Sequence, residues 1–224
     1  MKLYFILEGR SEYLLMSKWL AFLLPDFQSI EDYSTESGKC YYLLDGGGQP
    51  MIYTRISNAI QDINEIHSIN ALGAYDYLIV VIDSESISPS QRQQKIYDKL
   101  NQDKVELNEH CNMCIISQNV CIETWFLGNR KMFSRNSQNP EFLDLVKHFN
   151  VMLDDPEQMP NMDKDSTLAQ FHYKYLQIML GEKRIIYKKG GCKEVTKSQY
   201  FDKLSDRFTS TNHIPSFGKF LNLI

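Results

Sequence analysis

The chain has 224 residues, enough for one large domain or one domain with an appendage. Its 43% hydrophobic content allows a sizeable core, and its net charge of −4 excludes a protein that coats nucleic acid by charge alone. No apolar run reaches the roughly 20 residues needed to cross a bilayer, and the apolar stretch after Met1 meets Glu8 too early for a signal-peptide core. A cytoplasmic protein without a membrane partner is expected.

Residues 2–7 are a short apolar run of strand type, ending in Glu8-Gly9-Arg10-Ser11-Glu12. Gly9 permits a sharp turn, Ser11 can cap the next helix, and Glu12 suits the first turn of that helix. Residues 13–24 read as an amphipathic helix stopped by Pro25. Residues 28–37 look edge-like, and residues 40–44 form another strand before Asp45-Gly46-Gly47-Gly48. Three glycines can bring backbone close to a phosphate or can simply turn. A Walker pattern is absent, because Gly38-Lys39 lacks the spaced upstream glycine and Cys40 stands where Ser or Thr belongs. Ile52, Ile56, Ile60, Ile63 and Ile66 mark a helix over residues 51–67.

Residues 77–82 are continuously apolar, which suits a strand covered on both faces. The run ends in Asp83-Ser84-Glu85. Residues i and i+2 of a strand point the same way, so the two acids are expected to converge. Their repulsion is relieved by a hard cation such as Mg²⁺, which takes carboxylate oxygens. An acidic turn followed by helix-capping serines fits the same residues. Residues 90–107 read as a surface helix and 112–117 as a strand. Glu123 then sits between Ile122 and Trp125, where it needs a partner or a metal, or else lies on the outer side of an amphipathic helix.

Further on, helices are expected over residues 142–153, 167–180 and 197–208, with a closing helix from Pro215. Asn161, Asp163 and Asp165 imitate a calcium loop, but Ser166 and His172 stand where Gly and Glu are required. The five cysteines, Cys40, Cys111, Cys114, Cys121 and Cys192, are odd in number and scattered, which argues against a disulfide framework. Cys111 and Cys114 lack the second matched pair of a zinc site. Residues 183–197 carry six Lys/Arg and one Glu, a local +5 that leaves −9 elsewhere. Such a segment is a solvated face or a phosphate-contacting edge. Alternating strands and helices predict a mostly parallel α/β sheet over residues 1–135, with a helical C-terminal part over 136–224. Glu8 and Asp83 would both lie at carboxyl ends of strands, the rim where such sheets bind ligands.

Three segments in order, Glu8-Gly9-Arg10-Ser11-Glu12, Val81-Ile82-Asp83-Ser84-Glu85 and Cys121-Ile122-Glu123-Thr124-Trp125-Phe126-Leu127, resemble a TOPRIM domain. The chain is most similar to the small bacterial TOPRIM proteins of the OLD-like, RloB-like and AriB-like groups. Pro215-Ser216-Phe217-Gly218-Lys219-Phe220-Leu221 resembles their closing helix. The resemblance implies a Mg²⁺- or Mn²⁺-dependent nuclease that hydrolyses DNA or RNA phosphodiesters, serving antiviral defence. It makes Glu8 a metal ligand or general acid/base, and Asp83, Glu85 and Glu123 metal ligands. Glu12 is a further acid, and Lys188 or Lys189 the cation assisting cleavage. Lys183, Arg184, Lys193 and Lys197 would hold flanking phosphates. It also implies an ATPase partner supplied in trans and admits a homodimer. The alternatives are an effector subunit silent until that ATPase acts, and a non-catalytic nucleotide-binding module.

Overall fold

The computed structural model describes residues 1–34, 38–69, 74–162 and 164–223. Strands β1 (Lys2–Leu7), β2 (Gln28–Ile30), β3 (Cys40–Asp45), β4 (Tyr77–Asp83) and β5 (Asn112–Gln118) form one all-parallel sheet in the order β2-β3-β1-β4-β5. Helices α1 (Arg10–Leu23), α2 (Met51–Ile69) and α3 (Pro89–Asp103) supply connections between them. This is the expected α/β class. β1 is central and buried along its whole length, as its apolar run from Leu3 to Leu7 requires. Tyr4, Ile6, Leu78, Val80 and Ile82 share one core cluster with the isoleucine face of α2 and with Ile96 and Leu100 of α3. Each fully buried aliphatic side chain of this kind contributes about 1.5–3 kcal/mol.

The contacts divide the chain into two compact units, Met1–Ile82 with Pro89–Ser117, and Asp83–Ser88 with Gln118–Ile224. The division at 117/118 falls ahead of the 135/136 boundary expected from the sequence. Residues 122–126 form a short helix, α4 (Ile122–Phe126), which packs on the later helix α6 (Leu168–Gly181).

In the first unit the glycine run is a turn clamped to β1. Gly46 N donates to Leu7 O and Gly48 N to Glu8 O, each at 2.7 Å, while Gly47 N donates to Asp45 Oδ1 at 3.0 Å. With all three N–H groups occupied, the run does not cradle phosphate. Two boundaries differ from expectation. α1 starts at Arg10 with Gly9 as its N-cap, so Ser11 lies inside the first turn. α3 ends at Asp103 because Lys104 adopts a left-handed conformation, and Val105 and Leu107 pack on the core from the turn beyond. Cys111 joins that core while Cys114 is half-buried. Of the edge-like stretch 28–37, residues 35–37 lie outside the described residues.

In the second unit, α4 is followed by α5 (Pro140–His148), a 3₁₀ turn Pro156–Gln158, α6, α7 (Ser198–Thr211) and α8 (Pro215–Leu221). Trp125 is fully buried, donates Nε1–H to Ser216 Oγ at 2.7 Å, and has its ring 5.4 Å from Phe217 and 5.9 Å from Phe220. That is how α8 closes over α4. α5 stops at His148 instead of running to Leu153, because Asn150 folds back to accept from Met152 N and Leu153 is exposed. Asp163 of the calcium-like loop lies outside the described residues.

Two predictions follow from this packing. A Cβ on Gly46 would lie 2.7 Å from Leu7 O and 3.0 Å from Glu8 O, both backbone atoms. Gly46→Ala should therefore cost about 1–3 kcal/mol in urea unfolding. Gly38→Ala, with nothing within 4 Å, should be neutral or slightly stabilising. The second concerns Glu157, whose Oε1 accepts from Ser216 N at 2.9 Å and Ser216 Oγ at 2.6 Å. Burial pushes this carboxyl up to about 7, and the Ser216 hydrogen bonds only partly oppose it. Between the ordinary value of 4.5 and about 7 the folded state holds the extra proton, so this group's contribution to stability falls as pH rises through that window. Glu157→Gln keeps the acceptor and removes the charge. Its stability relative to wild type should rise from pH 5 to pH 8, by at most about 3 kcal/mol. A variant that tracks wild type at both pH values contradicts the assignment.

Candidate functional site

In the first unit, Glu8 is the first residue past β1 and is half-buried. Its Oε1 accepts from Gln49 Nε2 at 3.2 Å. Gln49 Oε1 accepts in turn from Arg92 NH1, which also donates to Tyr53 OH at 2.6 Å. Arg92 is only 3% exposed, although the sequence places it on a polar surface helix. Glu12 is also buried, in the first turn of α1, so it is more than a solvated helix-start charge.

In the second unit, Asp83 closes β4 and is buried. The chain then turns onto residues 118–120: Ser84 N donates to Gln118 O at 2.9 Å, Glu85 N to Val120 O at 2.8 Å, and Val120 N to Ser84 Oγ at 3.0 Å. Glu85 has φ +54° and is exposed. The strand rule that placed Asp83 and Glu85 on one side therefore does not hold, because β4 ends at Asp83 and Glu85 is in a left-handed turn.

The same turn feeds into α4, whose first turn carries Glu123 with no solvent exposure at all. Tyr187 OH donates to Glu123 Oε1 at 3.0 Å, and Lys189 Nζ stands 3.8 Å from that oxygen. Oε2 is buried with no N–H or O–H partner among the described residues. The Cys121 thiol is pushed well up, by burial first and then by the charges of Glu123 and Asp83. Both carboxylates therefore act on one sulfur. Burial and the Glu123 charge also raise the Tyr187 phenol, which keeps its proton for the hydrogen bond. Lys189 is thus the lysine set against an acid, a choice the sequence leaves open; both it and Lys188 are exposed.

Cys121 Sγ, Thr124 Oγ1 and His172 Nδ1 form a chain at 3.7 and 2.8 Å that imitates a nucleophile relay. Its chemistry is inert. The thiol stays protonated, and burial pushes His172 down to about 4, so the imidazole is neutral. The chain instead ties α4 to α6.

Residues 183–197 form an irregular segment anchored by buried Tyr187, Cys192 and Val195. Lys183, Arg184, Lys188, Lys193 and Lys197 are exposed, and Lys197 pairs with Glu194 at 2.5 Å. Tyr187 escaped the sequence reading. Its signal is an aromatic residue two positions before Lys189 inside a charged run, where only an anchor is expected. Among the described residues, no group of three or more His, Cys, Asp or Glu side chains is arranged to hold a metal ion. No family model matches the chain, and no curated protein or solved structure gives a match.

Hydrogen bonds to a charged group contribute about 1.5–3 kcal/mol, and Glu123 has few. Tyr187→Phe should accordingly cost about that much in urea unfolding, more than the same change at half-buried Tyr173, whose hydroxyl accepts from Gln177.

Proposed function

We propose that this chain is a Mg²⁺- or Mn²⁺-dependent nuclease of the TOPRIM type, hydrolysing phosphodiesters of DNA or RNA. The observation that supports the reading is Glu123, a carboxylate enclosed completely, with one oxygen accepting from Tyr187 and facing Lys189, the other without an N–H or O–H partner among the described residues, and beyond these only the weak Cys121 thiol as a donor. A buried carboxylate so under-satisfied is stabilised by a cation. Asp83, buried at the end of β4, would supply a second hard oxygen donor. Two carboxylates suit Mg²⁺, which takes one or two from the protein and leaves its other positions to water and substrate phosphate. When bound, the ion would act as a Lewis acid on the phosphoryl oxygens and promote ionisation of water.

The remaining chemistry belongs to the chain itself. Tyr187 fixes the orientation of the Glu123 carboxylate. Lys189, about half exposed, offers its ammonium to the negative charge that grows on a phosphate in the transition state. Cys121 and His172 take no part, so no covalent enzyme intermediate forms through them. Glu8, Glu12 and Glu85 enter the proposal on the resemblance, as do the phosphate contacts of Lys183, Arg184, Lys193 and Lys197. The setting of antiviral defence with a partner ATPase has the same basis.

Purified protein should cut DNA or RNA with Mg²⁺ or Mn²⁺ and stop cutting in a chelator. Asp83→Asn and Glu123→Gln should each lower the rate by about 10²-fold or more, with folding intact by circular dichroism. Lys189→Met should lower it less. Metal-independent cutting, or full activity in both acid variants, contradicts the proposal.

A further inference from the structure

A groove of about 580 Å³ opens in the second unit, walled by residues 130–136 together with Met152 and Lys183. Four of its lining side chains are cations, Arg130, Lys131, Arg135 and Lys183, and none of the residues lining it is acidic. None of the four joins an ion pair among the described residues. Arg130, Lys131 and Arg135 lie outside the basic segment that the sequence singles out. They are separated from Lys183 by about fifty positions of chain and meet it only in the fold.

The groove is held by a fifth cation. Arg207 is buried and donates to Gly128 O at 3.1 Å, Val151 O at 2.7 Å and Asp154 O at 2.6 Å. Gly128 and Val151 lead directly into the two walls, so one guanidinium sets their spacing. Burial first, and then the charge of Arg130, push Arg207 down to about 10. The two guanidiniums repel each other, and the charges of Asp155 and Asp154 offset this only in part at Arg207. Arg130 Nε is buried and has no acceptor among the described residues. An anion in the groove would answer both the repulsion and the orphaned donor. Phe133, half-buried in the same wall with its ring 5.2 Å from that of Phe142, presents an aromatic surface that a bare phosphate cannot use.

We propose that this groove binds the sugar–phosphate backbone of a single-stranded nucleic acid, with Arg130 and Arg135 on phosphates, Lys131 and Lys183 flanking them, and Phe133 stacking on one base. The volume exceeds what a lone phosphate fills and lies within the range of about 300–1,000 Å³ usual for ligand sites. Guanidinium groups suit phosphate geometry, and aromatic stacking adds affinity without demanding a sequence. The inference takes its ligand class from the nuclease reading. Binding here needs no metal and no cleavage, so the two are tested apart.

The test is fluorescence anisotropy of a labelled single strand of about 20 nucleotides, with chelator present, between about 50 and 200 mM salt. The full chain should bind, with affinity falling steeply with salt. Lys131→Glu/Arg135→Glu, both at exposed positions, should weaken binding at least tenfold and flatten the logarithmic salt slope by about 1.4, the loss of two phosphate contacts. Phe133→Leu should weaken binding roughly fivefold or more while leaving the slope unchanged. Lys18→Glu/Lys39→Glu, both exposed in the first unit, changes net charge by as much and should alter binding little. Equal binding by the double variant, or no binding by wild type, overturns the proposal. So does competition by inorganic phosphate or a mononucleotide as effective as that by the unlabelled strand, which would assign the groove to a small anion. Binding by wild type that cuts neither DNA nor RNA with Mg²⁺ or Mn²⁺ would count against the nuclease reading alone.

Discussion

One enclosed carboxylate governs the second unit. Moving an ionised Glu side chain out of water costs several kcal/mol unless hydrogen bonds and opposite charge replace the lost hydration. Glu123 accepts a hydrogen bond from the Tyr187 phenol and faces Lys189 on one oxygen, while its other oxygen has no N–H or O–H partner among the described residues. Everything around it serves to hold that group in place. The Asp83–Glu85 turn is laced to residues 118–120, Cys121 and Thr124 begin α4, and Trp125 and Phe126 pin the helix between α8 and the aromatic side chains Tyr187 and Tyr200. A fold that encloses an acid so firmly spends stability on it.

The parallel sheet was legible in the sequence because its strands announce themselves. Residues 3–7 and 77–82 are apolar without interruption, a pattern that suits a strand covered on both faces. The α2 isoleucines gave that helix within two residues at either end, for the same reason of periodicity. Helix ends were less legible. Lys104 takes a left-handed conformation and Asn150 folds its side chain back on the backbone, and neither event leaves an apolar signature.

At the candidate site the acids stood out individually, since an acid after or inside an apolar run is visible in one dimension. Their partners did not. Tyr187 reaches Glu123 across 64 positions, Arg92 reaches Gln49 across 43, and Arg207 gathers three carbonyls from two separate segments. Such pairings are set by tertiary packing, and the residues carry no local mark of it. The i, i+2 argument for Asp83 and Glu85 failed for a related reason: it assumed that the strand continues, and the left-handed Glu85 ends that continuity.

The second unit joins two electrostatic features of opposite sign, an enclosed acid and an open groove of cations, proposed to take a divalent cation and a nucleic acid respectively. The first is the claim on which the proposed chemistry rests, and it can be tested without any substrate. Titration calorimetry of Mn²⁺ into the purified protein at neutral pH measures it directly. The account predicts saturable binding that Glu123→Gln weakens at least tenfold while the far-ultraviolet circular dichroism is unchanged. Absence of Mn²⁺ binding, or binding indifferent to Glu123→Gln, would contradict it.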